Sequence, residues 1–252
     1  MTRIARIVTL AVAVAGLAAP LATAHAQKAG KPTVAILYFN NNVFTKDARD
    51  YDGLSKGVPD FLVTEMSANP NIRVIERDQV QKLVDEQKLI TGGQVDRETA
   101  VKVGKLLGAQ HMIFGGYMGD PKGNFRIDAR AVNVETGEIE YTERVQDKAD
   151  NIMPLISQLA EKMNAGMKLP AMPRRTGDAR PASAAPGAAG AQQAGAPAPT
   201  PKLPMRVAVL YGKALDLKDH KDPRAVELFS AVLKEFPDFG PAKHELAKLK
   251  GT

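Results

Sequence analysis

The sequence predicts an α/β fold, with a mixed sheet packed with helices and a small all-α helical-repeat tail. Three observations predict this architecture. Strand-like and helix-like segments alternate over residues 27–169, an alanine-, proline- and glycine-rich stretch occupies 170–204, and helical periodicity returns at 205–252. Of the 252 residues, 44% are hydrophobic and 25% are charged, as in an ordinary globular protein.

Residues 1–26 are expected to be a signal peptide. Two arginines precede a mostly apolar run at 7–21, and a small-x-small pattern provides a cleavage site before Gln27. The alternative is an uncleaved membrane anchor, which the shortness of the apolar run and the cleavage pattern disfavour. We therefore expect an exported, periplasmic protein that is at most peripheral to the outer membrane.

The net charge of +6 first suggests an anionic partner. Most of this charge lies in the signal peptide, the 170–204 stretch and the tail, so residues 27–169 are close to neutral. A near-neutral block lacks the field that attracts phosphates, and nucleic-acid binding is not expected. The absence of cysteine excludes disulfides, thiolate metal sites and a thioether-linked lipid anchor.

The first half of the 27–169 block is predicted to contain two strands and three helices. The apolar run at 33–39 suits a strand buried on both faces, and a short strand is expected at 72–75. Apolar spacing predicts three helices. The first is expected to begin near Pro59, and Asp78 could cap the second. The third is expected to begin at Asp96 and to end at Gly108.

The second half of the block is predicted to contain three strands and a closing helix at 150–167. Expected strands run from 111 to 117, from 125 to 134 and from 138 to 145, and Gly115-Gly116 is interpreted as turn geometry. Along 125–131, apolar residues alternate with charged ones, namely Arg126, Asp128 and Arg130. This pattern predicts a sheet with one face on helices and the other wet or covered by a partner.

The remaining residues are predicted to form a linker and a helical segment. The 170–204 stretch has almost no large apolar side chain, so we expect a disordered linker that acts as a spacer. Within 205–252, Ala225, Phe229, Leu233 and Pro237 have the spacing of half a tetratricopeptide repeat. One and a half repeats are marginal alone, so the tail should dock on another surface, self-associate or stay partly dynamic.

Several ordered segments carry a resemblance to a known family. IRVIERDQVQKLVDEQKLI places Glu76-Arg77 between a strand and a helix, GGQVDRETAVKVGKLLGAQHMIFGGYM follows, and AVNVETGEIEYTERV forms a hairpin. Over residues 33–165 this order resembles the CsgG-type family of curli production assembly/transport components, and is similar to the amino-terminal domain of TolB-like proteins. The resemblance implies an envelope-associated α/β domain that assembles into rings or binds envelope partners, without catalysis.

The chain departs from the channel-forming members of this family in two ways. Those members are anchored through a cysteine that follows the signal peptide, and this chain has no cysteine. They also insert long β-hairpins into the domain, whereas the turn at 118–124 is shorter than the roughly twenty residues that two spanning strands require. We therefore expect the soluble form, without an integral membrane span after signal cleavage.

No residue pattern supports catalysis, a cofactor or a metal, so an enzyme is not expected. Asn40-Asn41-Asn42 follows the first strand, where open α/β sheets often hold ligands, but an ordinary turn is favoured. The candidate interaction residues are Glu76, Arg77, Phe229, Phe236 and Phe239. Glu76-Arg77 could set a subunit contact, although a structural ion pair or a helix-start charge is the favoured interpretation.

These expectations define two main hypotheses about function, beside a third class, an enzyme or small-ligand binder that uses the edge of the first strand. The first is a non-enzymatic exported envelope protein that contacts envelope or secretion proteins, and itself as a homo-oligomer, during assembly or secretion of outer-membrane or extracellular components. The alternative is a periplasmic regulator that binds a cell-wall synthesis enzyme. Periplasmic activators of such enzymes are similar in having a related domain and a disordered tether, but their tether precedes the domain.

Overall fold

The computed structural model describes residues 30–44, 46, 48–90, 94–120, 123–148, 150–172 and 203–251. The described residues from Lys31 onward belong to one unit. The expected signal peptide lies outside the described residues, as does nearly all of the expected linker at 170–204, so both stay predictions.

A mixed five-stranded sheet forms the centre of this unit, as predicted. Its strands, in chain order, are β1 (Thr33–Asn41), β2 (Arg73–Val74), β3 (His111–Gly119), β4 (Asn124–Asn133) and β5 (Ile139–Lys148). Their order across the sheet is β2-β1-β3-β4-β5. The strands β2 and β3 flank β1 in parallel, whereas β3, β4 and β5 form antiparallel pairs. The sheet therefore has a parallel half and an antiparallel half.

Helices pack on both faces of the sheet, and on the second face they reach only the parallel half and the Val132 end of β4. They are α1 (Leu54–Ser67), α2 (Arg77–Gln87), α3 (Arg97–Leu107), α4 (Met153–Gly166), α5 (Met205–Asp219), α6 (Arg224–Glu235) and α7 (Gly240–Lys250). The first face packs on α1 and α4, and its core continues into α5, α6 and α7. The second face packs on α2 and α3.

Burial along β1 and β4 agrees with the patterns read from the sequence. Val34 and Ile36 of β1 belong to the first core, while Ala35 and Leu37 belong to the second, so β1 is buried on both faces. In β4, alternate residues from Phe125 to Ala131 are buried and the charged residues between them are partly or fully exposed. The predicted one-sided strand is confirmed.

The first helix begins earlier than predicted. It starts at Leu54, and Pro59 lies inside it instead of near its start. Proline lacks the N–H that would bond the carbonyl four residues back. The first turn forms nonetheless because Leu54, Gly57 and Val58 are buried, and this burial offsets one missing hydrogen bond.

The ends of α2 and α3 agree with the sequence in part. The Asp96 side chain accepts a 2.8 Å hydrogen bond from the Thr99 backbone N–H and caps α3, and Gly108 ends α3 at a φ of +64°, both as predicted. The predicted cap of α2 is wrong. Asp78 lies inside the first turn of α2 and its carboxylate binds Lys218 of α5 instead.

The glycine pair of β3 does not form a turn. Gly115 and Gly116 lie inside the strand, where a Cβ on Gly115 would stand 2.1 Å from the carbonyl oxygen of Asp128. A Cβ on Gly116 would stand 2.4 Å from the side-chain nitrogen of Asn42. The close approach of neighbouring strands explains these glycines, and local turn chemistry does not.

The tail docks on the α/β domain of its own chain. A Cβ on Gly212 of α5 would stand 1.8 Å from the carbonyl oxygen of Gly53, just before α1, so the two backbones touch directly. Tyr211 stacks on Phe61 of α1 with ring centroids 5.4 Å apart, and Phe239 packs edge-on against both rings. Of the three outcomes left open for the tail, the structure shows docking; its tetratricopeptide-like character stays a prediction.

Replacing Gly212 with alanine tests this backbone contact. Gly212→Ala should lower the free energy of unfolding by about 1–3 kcal/mol because a methyl group cannot fit against Gly53. Chemical denaturation followed by circular dichroism measures the change. Gly240→Ala is the matched control, since a Cβ there meets nothing within 4 Å. Equal stability of the two variants would contradict the close packing of α1 and α5.

Candidate functional site

Arg77 binds the tail to the α/β domain. It is the first residue of α2, and only 4% of its side chain is exposed. Its two terminal nitrogens donate to the two carboxylate oxygens of Asp219 in α5, at 2.8 and 3.0 Å. This two-point contact is the strong geometry for an arginine and a carboxylate, and it spans 142 positions of the chain.

Further charged groups extend this contact into a cluster between α1, α2 and the tail. Lys56 of α1 lies 2.9 Å from Asp219 and 2.8 Å from Asp216. The hydroxyl of Tyr211 donates to Asp60 of α1 at 2.7 Å. Lys218 of α5 binds both Asp78 and Glu245 of α7. We call these groups, together with Arg77, the tail clamp.

Burial and ion pairing shift the pKa values of two acids of the tail clamp in opposite directions. Burial raises the pKa of Asp219, but Arg77 and Lys56 more than offset this and hold that pKa below its ordinary value. Burial also dominates at Asp60, where it raises the pKa although Arg77 and Tyr211 oppose it. The ionised form of Asp219 therefore stabilises the docked tail, whereas ionisation of Asp60 in the folded protein costs free energy.

The structure places most of the five candidate interaction residues inside the chain. Arg77 belongs to the tail clamp. Phe229 and Phe239 are buried beside Tyr211, and Phe236 is half-buried against Phe239. Only Glu76 of the five is exposed. Four of the five therefore make contacts within the chain, and an intermolecular role for any of the five stays a proposal.

A polar hollow lies on the face of the antiparallel half that α2 and α3 leave uncovered. Asp128 of β4 is at its centre and accepts hydrogen bonds from Arg126 Nε at 2.6 Å and from Arg144 Nε at 2.9 Å. Gly116 supplies a floor without a side chain. The hollow has a volume of about 550 Å³ and is also lined by Arg130, Thr142, Asn40 and Asn42.

A second hollow of about 380 Å³ continues the first along β4. Met118 and Arg126 line both hollows, and Phe44, whose surface is 88% exposed, stands at the far end with Asp120. We call the two hollows together the arginine groove. A large exposed aromatic ring beside clustered guanidinium groups is characteristic of a surface that binds a partner.

The sequence pattern predicts part of the arginine groove. The alternation over 125–131 identified the uncovered face and three of its charged residues. It missed Arg144, Thr142 and Phe44, although the residues that face Asp128 and Arg130 across the β4–β5 hairpin could have been read from its register. The Asn40 side chain instead holds the loop before α3, because it bonds the backbone of Val95.

Within the described part of the chain, no group of three or more histidine, cysteine, aspartate or glutamate residues could hold a metal ion. Nor does any helix of that part have the length and apolar character needed to cross a lipid bilayer.

An α/β domain with a partly uncovered mixed sheet and an exposed polar groove has the features of a binding domain. Residues 18–119 match the family model described as "Curli production assembly/transport component CsgG", so this part of the chain is similar to that family. The match confirms the resemblance predicted from the sequence, although it ends before residue 165. No curated protein matches the chain.

Several solved structures are similar to about half of this chain. The LpoB C-terminal domain from Salmonella enterica is 14% identical, covers 47% of this chain and 84% of its own, and has a TM-score of 0.35. TolB from Acinetobacter baumannii is 12% identical, covers 54% of this chain and 28% of its own, and has a TM-score of 0.38. The PelC dodecamer from Paraburkholderia phytofirmans is 10% identical, covers 55% of this chain and 89% of its own, and has a TM-score of 0.33. Likenesses at this level carry no functional argument.

Removing Arg77 tests the tail clamp. Arg77→Met should lower the free energy of unfolding by about 3–5 kcal/mol because it leaves the Asp219 carboxylate buried without its main partner. The double variant Arg77→Met, Asp219→Leu should recover much of this loss, and urea unfolding measures both. Lys82→Ala, which removes an exposed pair with Glu86, is the control and should change stability by less than about 0.5 kcal/mol. A double variant no more stable than Arg77→Met would contradict the clamp.

The stability of the docked tail should depend on pH through Asp219. Its pKa is lowered on folding, so its stabilising contribution is present above the unfolded value of about 3.9 and is lost as the pH falls through the folded value. The free energy of unfolding of the wild type should exceed that of Asp219→Asn above about pH 5, and the two should converge in acid. Asp60 has the opposite dependence and is present in both proteins. A difference that is constant with pH would contradict this assignment.

Proposed function

We propose that the protein is an exported, non-enzymatic component of the bacterial cell envelope. It acts by protein–protein contacts in the assembly or secretion of outer-membrane or extracellular components. The match of residues 18–119 to the CsgG family carries this proposal, because that family is described as an assembly and transport component of curli production.

The geometry supports a role in binding. The tail covers one side of α1 and uses its aromatic residues for that contact, so these residues are occupied within the chain. The arginine groove, in contrast, is an uncovered surface that combines charged groups with the exposed ring of Phe44. A partner therefore has a polar surface with an apolar end on which to dock.

Export is the second part of the proposal. The pattern of basic, apolar and small residues at 1–26 supports it, and cleavage would leave Gln27 as the first residue. Contacts with other envelope proteins, and with further copies of this chain, then take place outside the cytoplasm.

Cross-linking in bacterial cells, followed by capture through a C-terminal tag and mass spectrometry, tests this function. We expect secretion or outer-membrane assembly proteins among the cross-linked products, and a mature chain that begins at Gln27. The matched control reverses the basic start with Arg3→Glu and Arg6→Glu, which should retain the precursor and abolish these products. Enrichment of cell-wall synthesis enzymes would support the alternative function, and an intact precursor of the wild type would contradict export.

A further inference from the structure

We propose that the arginine groove binds an extended acidic segment of a partner protein. Carboxylates of the segment pair with Arg126, Arg144 and Arg130, and an apolar side chain packs on Phe44 and Met118. This inference rests on the proposed function, since it names the kind of partner surface that the envelope contacts would use.

The arginines of the groove are only partly neutralised. Arg126 and Arg144 both use Nε to bind the one carboxylate of Asp128, and their terminal nitrogens take part in no described hydrogen bond. Arg130 is exposed and has no ion pair within the described residues. Three guanidinium groups thus share one acid at the centre of the groove, and two are already oriented by it.

The other acids that line the groove do not neutralise the remaining positive charge of the three arginines. Glu143 accepts hydrogen bonds from Lys162 at 3.0 Å and from Tyr141 at 2.6 Å, so it is occupied by groups outside the arginine cluster. Asp120 lies at the end beside Phe44 and accepts hydrogen bonds from Asn124. The centre of the groove therefore retains a local excess of positive charge.

The spacing of the arginines matches an extended peptide. Arg126, Asp128 and Arg130 are alternate residues of β4, and Arg144 of β5 lies directly opposite Asp128. Successive arginines therefore lie about 6–7 Å apart along the strand direction, because a strand rises about 3.3 Å per residue. Alternate side chains of a bound extended segment have the same separation, so carboxylates at every second position can meet the three arginines in turn.

The length and the far end of the groove favour a peptide over a small anion. The groove follows β4 from Asn124 to Arg130, a distance of about 20 Å that accommodates an extended segment of about seven residues. At its end, Phe44 and Met118 offer an apolar contact that a phosphate ion would not use. Asp128 and Asp120 also interrupt the positive surface, which disfavours a nucleic acid with its continuous row of phosphates.

Fluorescence anisotropy with the full chain and a labelled peptide, Glu-Ser-Glu-Ser-Glu-Ser-Leu, in which the glutamates and the leucine share one face of the extended chain, tests the proposal. The peptide should bind, and its affinity should fall as salt is raised. Its counterpart with glutamine in place of each glutamate should bind at least tenfold more weakly. Arg130→Gln should weaken binding about tenfold without loss of folding, because this side chain has no partner to lose.

Two further variants make the test specific. Arg73→Gln removes one exposed guanidinium from β2, at the other edge of the sheet, and should leave peptide affinity unchanged. Phe44→Ser should weaken binding of the peptide but not of a counterpart that ends in serine instead of leucine.

Other results would overturn the proposal. These are equal binding by wild type and Arg130→Gln, equal binding of the glutamine peptide, and displacement of the acidic peptide by inorganic phosphate or a short oligonucleotide at comparable concentration. Failure of peptide binding would refute this occupant of the groove, whereas the cross-linking in cells would still decide the proposed function by itself.

Discussion

The direct backbone contact between α5 and the start of α1 is the constraint on which the arrangement of the molecule depends. Gly53 and Gly212 allow the two segments to touch, since a single methyl group on Gly212 would collide with the carbonyl of Gly53. This approach brings Tyr211 onto Phe61 and places Phe229 and Phe239 around the same ring. The tail thereby shares a hydrophobic core with the sheet, and a short helical segment gains the support that it would lack alone.

The tail clamp adds orientation to this contact more than it adds net stability. Burying an arginine and a carboxylate removes both from water, and their mutual attraction offsets only part of this desolvation cost. Any other position of α5 on α1 would separate Asp219 from Arg77 and Lys56 and leave buried charges unpaired. The apolar contact therefore supplies the affinity of the tail for α1, while the charges select one position for it.

This division leaves two surfaces with different roles. One side of the molecule is closed by helices and the tail, and its candidate interaction residues are mostly engaged there. Much of the antiparallel half of the sheet stays uncovered on the other side because α2 and α3 pack over the parallel half and reach β4 only near Val132 and Val134. The groove exists there because Gly116 carries no side chain and because Asp128 holds two arginines at the sheet surface.

The sequence alone determined the features that depend on local period and local chemistry. These include the fully buried β1, the one-sided β4, the cap at Asp96 and the left-handed end at Gly108, because each is decided by residues a few positions apart. Only the tertiary structure decided the features made by distant residues. Gly115-Gly116 has the composition of a turn but lies within a strand, where the Asp128 carbonyl and the Asn42 side chain leave no room for a Cβ. The sequence shows Arg77 as a charge at a helix start, but its partner Asp219 lies 142 positions away, and only the packing of α5 on α1 brings the two together.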